Sequence, residues 1–196
     1  MSQKQGITTI LTESNPKSQN LKLADTHYLV SRGMEGPREI ALKEDVDAVV
    51  PLMGVDGPLK EVAQMKEDLE VKHGLPVVAS GLKAASISTD KIKTKEFFLK
   101  NNIRTPKFNK INNLKTSKDN LKMFKDDLNG KMPLVFKHAQ GQGGSGIKIV
   151  SNKIDIQKYF DEFKEGMAEE FVCGTEISVE VLRWKKRSVP LVPVDK

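Results

Sequence analysis

Residues 133–150 read PLVFKHAQGQGGSGIKIV. Two apolar, β-branched-rich runs, Leu134-Val135-Phe136 and Ile147 to Val150, flank a span in which Gly141, Gly143, Gly144 and Gly146 leave the backbone nearly free of side chains. That pattern predicts a strand, a glycine loop and a second strand. Lys137 ends the first strand, which puts an ammonium at the mouth of a loop whose N–H groups can converge on an anion. A Gly/Ser run between strands also serves as a plain hairpin tip, and the segment alone leaves both readings open. It is neither of two familiar phosphate loops. A Walker loop needs Gly-Lys-Ser/Thr opening a helix, and a dinucleotide fingerprint needs its glycines between a strand and a helix.

The chain has 196 residues, enough for one large or two small domains with a real core. Its 38% hydrophobic and 30% charged residues are the composition of a soluble globular protein. No apolar run approaches the length of a membrane helix, and residues 1–6 lack the apolar core of a secretory signal, so a cytoplasmic protein is expected. One cysteine, Cys173, excludes an internal disulfide, and His27, His73 and His138 have no zinc-ligand spacing. The net charge of +6 suits an anionic ligand. Because 32 basic and 26 acidic residues are spread along the chain, with Lys185-Lys186-Arg187 as the tight cluster, a solvated surface is expected rather than a nucleic-acid interface.

Upstream of the glycine stretch, residues 6–11 (GITTIL), 28–30 and 47–53 (DAVVPLM) read as strands, and residues 37–44 and 58–72 as helices, the second ending at Gly74. Pro76 to Ala79 gives another strand. This alternation predicts a small doubly wound parallel α/β domain over residues 1–80. Residues 81–102 are helical, with Thr89 or Asp90 as an N-cap, Ile92, Leu99 and Ile103 on one face, and Lys91 and Lys95 on another, expected to be solvated. Residues 118–128 read as a polar-faced helix. Downstream, residues 152–163 form a helix with Ile154, Tyr159, Phe160 and Phe163 as its apolar side, and residues 167–172 (MAEEFV) a strand. Residues 175–183 alternate as a half-buried antiparallel strand. Glu169 and Glu170 stand out, since glutamate is depleted in strands, and one of them is a candidate to face a ligand.

Four features in this order resemble the ATP-grasp superfamily: Asp90-Lys91 opening a helix, Lys137 before GQGGSG, Glu169-Glu170-Phe171-Val172, and Gly174-Thr175-Glu176. Residues 6–16, Ala24-Asp25, Tyr28 and residues 47–54 resemble the domain that precedes it in carbamoyl-phosphate synthase large subunits and phosphoribosylamine-glycine ligases. The fold implied is α/β: a pre-ATP-grasp domain over 1–80 and an incomplete α+β ATP-grasp domain over 81–196, with the glycine-loop lid subdomain at about 110–172.

The resemblance implies that ATP lies between two α+β subdomains. Gly141, Gly143, Gly144, Ser145 and Gly146 would form a flap over the phosphates, and Lys91 and Lys137 would contact phosphate oxygens. Glu170 through its carbonyl and Val172 through its N–H would read the adenine edge, Glu169 the amino group, and Glu176 the ribose hydroxyls. Phe136 and Phe171 are candidates for walls around the base or for ordinary core. The implied chemistry is ATP-dependent carboxylate-amine ligation through an acylphosphate, with Mg2+ and small-molecule acid and amine substrates. Family members hold magnesium with a Glu-x-Asn type pair on later strands, and the sequence reaches residues 194–196 where that half is expected to start. No metal ligand or catalytic residue is therefore nominated, and the expectation is an enzyme truncated at both ends. A complementing C-terminal ATP-grasp half or a homo-oligomer is the expected macromolecular partner. The alternative is a non-catalytic nucleotide-binding or interaction module of the same fold.

Overall fold

The computed structural model describes residues 5–53, 57–112, 133–141, 144–163, 165–184 and 186–195. The chain divides into two compact units, Met1–Thr105 with His138–Gly146, and Pro106–Lys137 with Ile147–Lys196.

In the first unit β1 (Ile10–Glu13) pairs in parallel with β2 (Thr26–Leu29), Ile10 opposite Thr26 and Glu13 opposite Leu29. The ladder starts later than the GITTIL pattern suggests because Thr9 is engaged by Asp25, whose Oδ2 accepts from the Thr9 N–H and hydroxyl, both at 2.8 Å. A second parallel contact is the isolated bridge between Val49 and Val77, where a full strand over 47–53 was expected. Among the described residues the parallel pairing consists of these two pieces.

Helices α1 (Glu35–Lys43), α2 (Leu59–His73), α3 (Leu82–Ser88) and α4 (Lys91–Lys100) belong to the same unit. Gly74 caps α2 in the left-handed conformation, its N–H bonded to the Leu69 carbonyl. The core gathers Ala41, Met65, Leu69, Leu75 and Val77, with Met34, Leu42, Val46, Val49 and Ala79 packed against it. Polar clamps surround this core. Asp68 on α2 accepts from Arg38 Nε at 2.5 Å and from Lys72 Nζ at 2.7 Å. Lys66 donates to the Val77 carbonyl at 2.7 Å while Glu70, its i,i+4 partner, accepts from the Val77 N–H at 3.1 Å.

The second unit holds β3 (Phe108–Asn112), β4 (Leu134–Lys137), β5 (Ile147–Val150) and β6 (Glu165–Glu170) in one antiparallel sheet of order β3-β6-β4-β5. Helix α5 (Lys153–Glu162), capped by the Asn152 side chain on the Ile154 and Asp155 N–H groups, lies on one face. Ile111, Leu134, Phe136, Val150 and Ala168 of the sheet and Ile156 and Tyr159 of α5 form the core, with Phe160 and Phe163 partly buried beside it. The Phe136 and Tyr159 rings meet edge to face, centroids 5.0 Å apart. Gly166 admits no side chain there: at φ 152° an added Cβ would stand 2.4 Å from the Lys137 carbonyl oxygen and 2.7 Å from Tyr159 Oη. Burial, with Glu162 nearby, pushes the Tyr159 phenol up to about 12, so it stays neutral.

Three local expectations are corrected here. Ile154, placed on the apolar side of its helix, is 67% exposed, and Ile156 fills the core instead. Lys95 is buried rather than solvated, its Nζ bonded to Thr105 Oγ1 at 2.7 Å. Residues 175–183 do not make one half-buried strand: β7 (Ile177–Ser178) pairs with β10 (Val194–Asp195), and β8 (Val181–Trp184) pairs with β9 (Arg187–Pro190). Their alternation buries nothing, since Ile177, Val181 and Val189 are all exposed. The helix read at 118–128 lies outside the described residues. Among those residues no helix is long and apolar enough to cross a membrane.

Candidate functional site

The glycine loop belongs to the first unit and is organised by the start of α4. Asp90 Oδ1 caps the helix by accepting from the Ile92 and Lys93 N–H groups, each at 3.0 Å. The next donor, the Lys91 N–H, goes to the Ala139 carbonyl at 3.0 Å. These three N–H groups are already taken, so any anion here is met by the loop and by side chains rather than by the helix end. Lys91 Nζ donates to the Gly141 carbonyl at 2.5 Å, which keeps the ammonium on the loop.

The loop's own shape follows from its glycines. Gly141, Gly144 and Gly146 have φ of 124°, 82° and 70°. A Cβ on Gly141 would lie 3.1 Å from the Ser145 carbonyl oxygen, so the turn closes tightly because nothing projects there. At its base the His138 N–H bonds the Gly146 carbonyl at 2.8 Å, and His138 Nδ1 lies 2.8 Å from the Gln140 carbonyl oxygen. His138 is a contributor that sequence reading did not nominate, and its place beside Lys137 at the loop's entrance was the available signal. Gly143 lies outside the described residues. Ser145 is exposed, and so is Gly144.

In the second unit the strand pattern separates two faces. Leu134 and Phe136 point to α5, and Val135 and Lys137 to the opposite face, which β6 shares through Met167 and Glu169. Lys137 Nζ and Glu169 Oε1 form an ion pair on that face. Glu170 ends the strand, its N–H bonded to the Lys107 carbonyl at 2.9 Å. Phe171 and Val172 then follow as exposed residues outside regular secondary structure, and Glu176 is exposed beyond them. Phe136 is fully buried core, whereas Phe171 is 39% exposed. The structure thus brings Lys91 together with Gly141 in one unit and Lys137 together with Glu169 in the other. The Lys137–Glu169 pair is the arrangement sequence reading missed, because it depends on β4 and β6 being neighbours.

The model of the ATP-grasp domain family matches residues 88–195. Carbamoyl-phosphate synthase of Methanobrevibacter smithii is 44% identical over 191 residues, covering 97% of this chain and 50% of that protein. D-alanine–D-alanine ligase of Pelagibacter ubique is 31% identical over 150 residues, covering 74% of this chain and 46% of its own. Among solved structures, the biotin carboxylase domain of Hydrogenobacter thermophilus 2-oxoglutarate carboxylase, crystallised with MgADP and bicarbonate, superposes with a TM-score of 0.76. It is 20% identical, and the match covers 98% of this chain and 45% of that one, a likeness of fold. The chain spans about half the length of these relatives.

Proposed function

The chain belongs to the ATP-grasp family, and on that premise we propose that it is the ATP-binding portion of an ATP-dependent carboxylate-amine ligase. In the proposed chemistry a carboxylate oxygen takes the γ-phosphoryl group, ADP leaves, and an amine attacks the acylphosphate carbonyl, expelling phosphate as the carbon–nitrogen bond forms. The observation that carries the reading is the loop from His138 to Gly146, a turn without side-chain bulk at Gly141 onto which the Lys91 ammonium is bonded. A turn with so little side-chain bulk leaves room for a phosphate beside a cation, and a triphosphate requires cations near it.

Within this proposal Lys91 and Lys137 are each assigned to phosphate oxygens, and Gly141, Gly144, Ser145 and Gly146 to the flap over the phosphates. The Glu170 carbonyl and the Val172 N–H take the adenine edge, and Glu176 the ribose hydroxyls. That Phe171 and Val172 are exposed residues outside any strand supports that assignment. Residues 1–80 are the proposed pre-ATP-grasp domain and 81–196 part of the ATP-grasp domain, the latter supported by the matched range 88–195. Mg2+ is proposed to accompany the triphosphate in a cytoplasmic enzyme. Among the described residues no group of three or more His, Cys, Asp or Glu side chains is gathered for a metal, so no ligand is assigned and no step is drawn through it. The acid and amine substrates are small molecules. A complementing C-terminal half is the proposed macromolecular partner, supported by the exposed Ile177, Val181, Leu182 and Val189 of β7 to β9.

Titration with ATP tests the reading. Lys137→Ala weakens binding by about tenfold or more, the loss expected for one charge-assisted hydrogen bond to phosphate. Lys158→Ala, an exposed lysine on α5 of the same unit, leaves the affinity unchanged. Equal effects of the two substitutions would remove the phosphate role of Lys137.

A further inference from the structure

Three successive carbonyls of the glycine loop each have a polar partner. The Ala139 carbonyl accepts from the Lys91 N–H at 3.0 Å, and the Gly141 carbonyl accepts from Lys91 Nζ at 2.5 Å. Between them, the Gln140 carbonyl oxygen lies 2.8 Å from His138 Nδ1. A carbonyl oxygen has no proton to give, so this contact also fixes the state of the ring: Nδ1 carries the hydrogen. The ring thereby settles which way one peptide lies. In a planar trans peptide the C=O and N–H point in opposite directions. With its oxygen drawn to the ring, the Gln140–Gly141 peptide turns the Gly141 N–H to the other side. Backbone stiffness alone does not make this choice. Glycine adopts positive and negative φ with similar ease, so turning the peptide over would take Gly141 from 124° to a negative φ at little conformational cost.

We propose that His138 is a positioning residue: through Nδ1–H it locks the Gln140–Gly141 peptide so that the Gly141 N–H faces the phosphates of a bound nucleoside triphosphate. This role rests on the nucleotide site proposed above and gives one donor of the loop its aim. Glycine and histidine divide the work. Gly141 makes the tight turn possible, and the His138 ring selects one of the two peptide orientations that glycine leaves open. The ring acts from a fixed point, since the main-chain N–H of His138 is bonded to the Gly146 carbonyl at 2.8 Å. A donor set in advance spares the reorganisation that a freely turning peptide would undergo when the anion arrives.

Two substitutions of similar shape isolate the donor. Asparagine places an N–H at the δ position, as this histidine does, whereas leucine puts a methyl group there. In calorimetric titration of the full chain with ATP, His138→Leu weakens binding about tenfold while His138→Asn stays within about twofold of wild type. Nitrogen NMR of the imidazole in the unliganded wild-type chain, in mildly alkaline solution, gives a second readout: His138 shows the Nδ1–H tautomer. Equal affinities in the two variants would overturn the inference, whether both match wild type or both are weak. The Nε2–H tautomer would overturn it as well, since Nδ1 could not then donate. Thermal melting of each variant guards against unfolding, and the tautomer is read on wild type, so that arm stands even where a variant fails to fold. A wild-type chain that shows the Nδ1–H tautomer and does not bind ATP would instead overturn the nucleotide site itself, and the phosphate task of His138 with it.

Discussion

The α1–α2 region of the first unit and the sheet–α5 region of the second are stabilised by different physics. Between α1 and α2 the contacts around Leu69 are ringed by charge: Arg38, Lys72 and Asp68 form one cluster, and Lys66 with Glu70 a second. Between the sheet and α5 the contact is aromatic, Phe136 against Tyr159 and Phe160, with Phe163 on Tyr159. The charged region therefore responds to acid and salt, and the aromatic one to lost volume.

The largest expected effect is in the aromatic region. Phe136→Ala lowers stability by about 3–5 kcal/mol in denaturant unfolding, because a fully buried ring is replaced by a cavity between sheet and helix. Leu69→Ala follows with about 2–5 kcal/mol, since Leu69 is also fully buried. A loss under about 1 kcal/mol at Phe136 would show that α5 is not held by its rings, and the contrast between the regions would disappear.

Acid sharpens the comparison further. Hydrogen bonds from Lys72, and then from Arg38, hold the Asp68 carboxyl at about 2, below its ordinary 3.8. A carboxyl lowered on folding adds stability that is complete above the unfolded value and is lost as pH falls from about 4 toward about 2. The protection of α2 amides, relative to their intrinsic exchange at each pH, should therefore fall over that window while protection in β4 changes less. Asp68→Asn should be less stable at neutral pH and show a flatter response in acid. Identical acid profiles in wild type and variant would break the assignment.

The smallest effect is expected on the terminal hairpin. Leu182→Thr, at a residue 63% exposed, should change stability by no more than about 0.5 kcal/mol. A large loss would mean that β8 is covered in solution.

What the sequence discloses depends on how local the cause is. Asp90, Asn152 and Gly74 cap helices through groups no more than five residues from themselves, and those ends are legible. The strand–loop–strand over 133–150 is legible because glycine and β-branched residues mark it directly. Lys95 is not, since its burial depends on Thr105, ten residues away. Ile156 precedes Tyr159, Phe160 and Phe163 by three, four and seven residues and so shares their stripe, whereas Ile154, two residues earlier, falls on the opposite side of α5 and is exposed; the spacing carried this distinction and the reading overlooked it. The pattern in residues 175–183 is uninformative for another reason: alternation records a strand's pleat but not how many partners it has, and here β7 and β8 pair with different strands. The site divides likewise. Loop and lysines are visible in one dimension, while the pairing of Lys137 with Glu169 exists only once β4 meets β6.

The grip of α2 on Val77 has a consequence for how copies of this chain meet. The Val77 bridge with Val49 uses the main-chain groups of Pro76 and Val78, and those of Val77 itself face the other way, where a foreign strand could otherwise dock. Lys66 and Glu70 occupy them both. A single turn of helix thereby impersonates the missing neighbour, and this length of backbone offers no template for edge-to-edge aggregation.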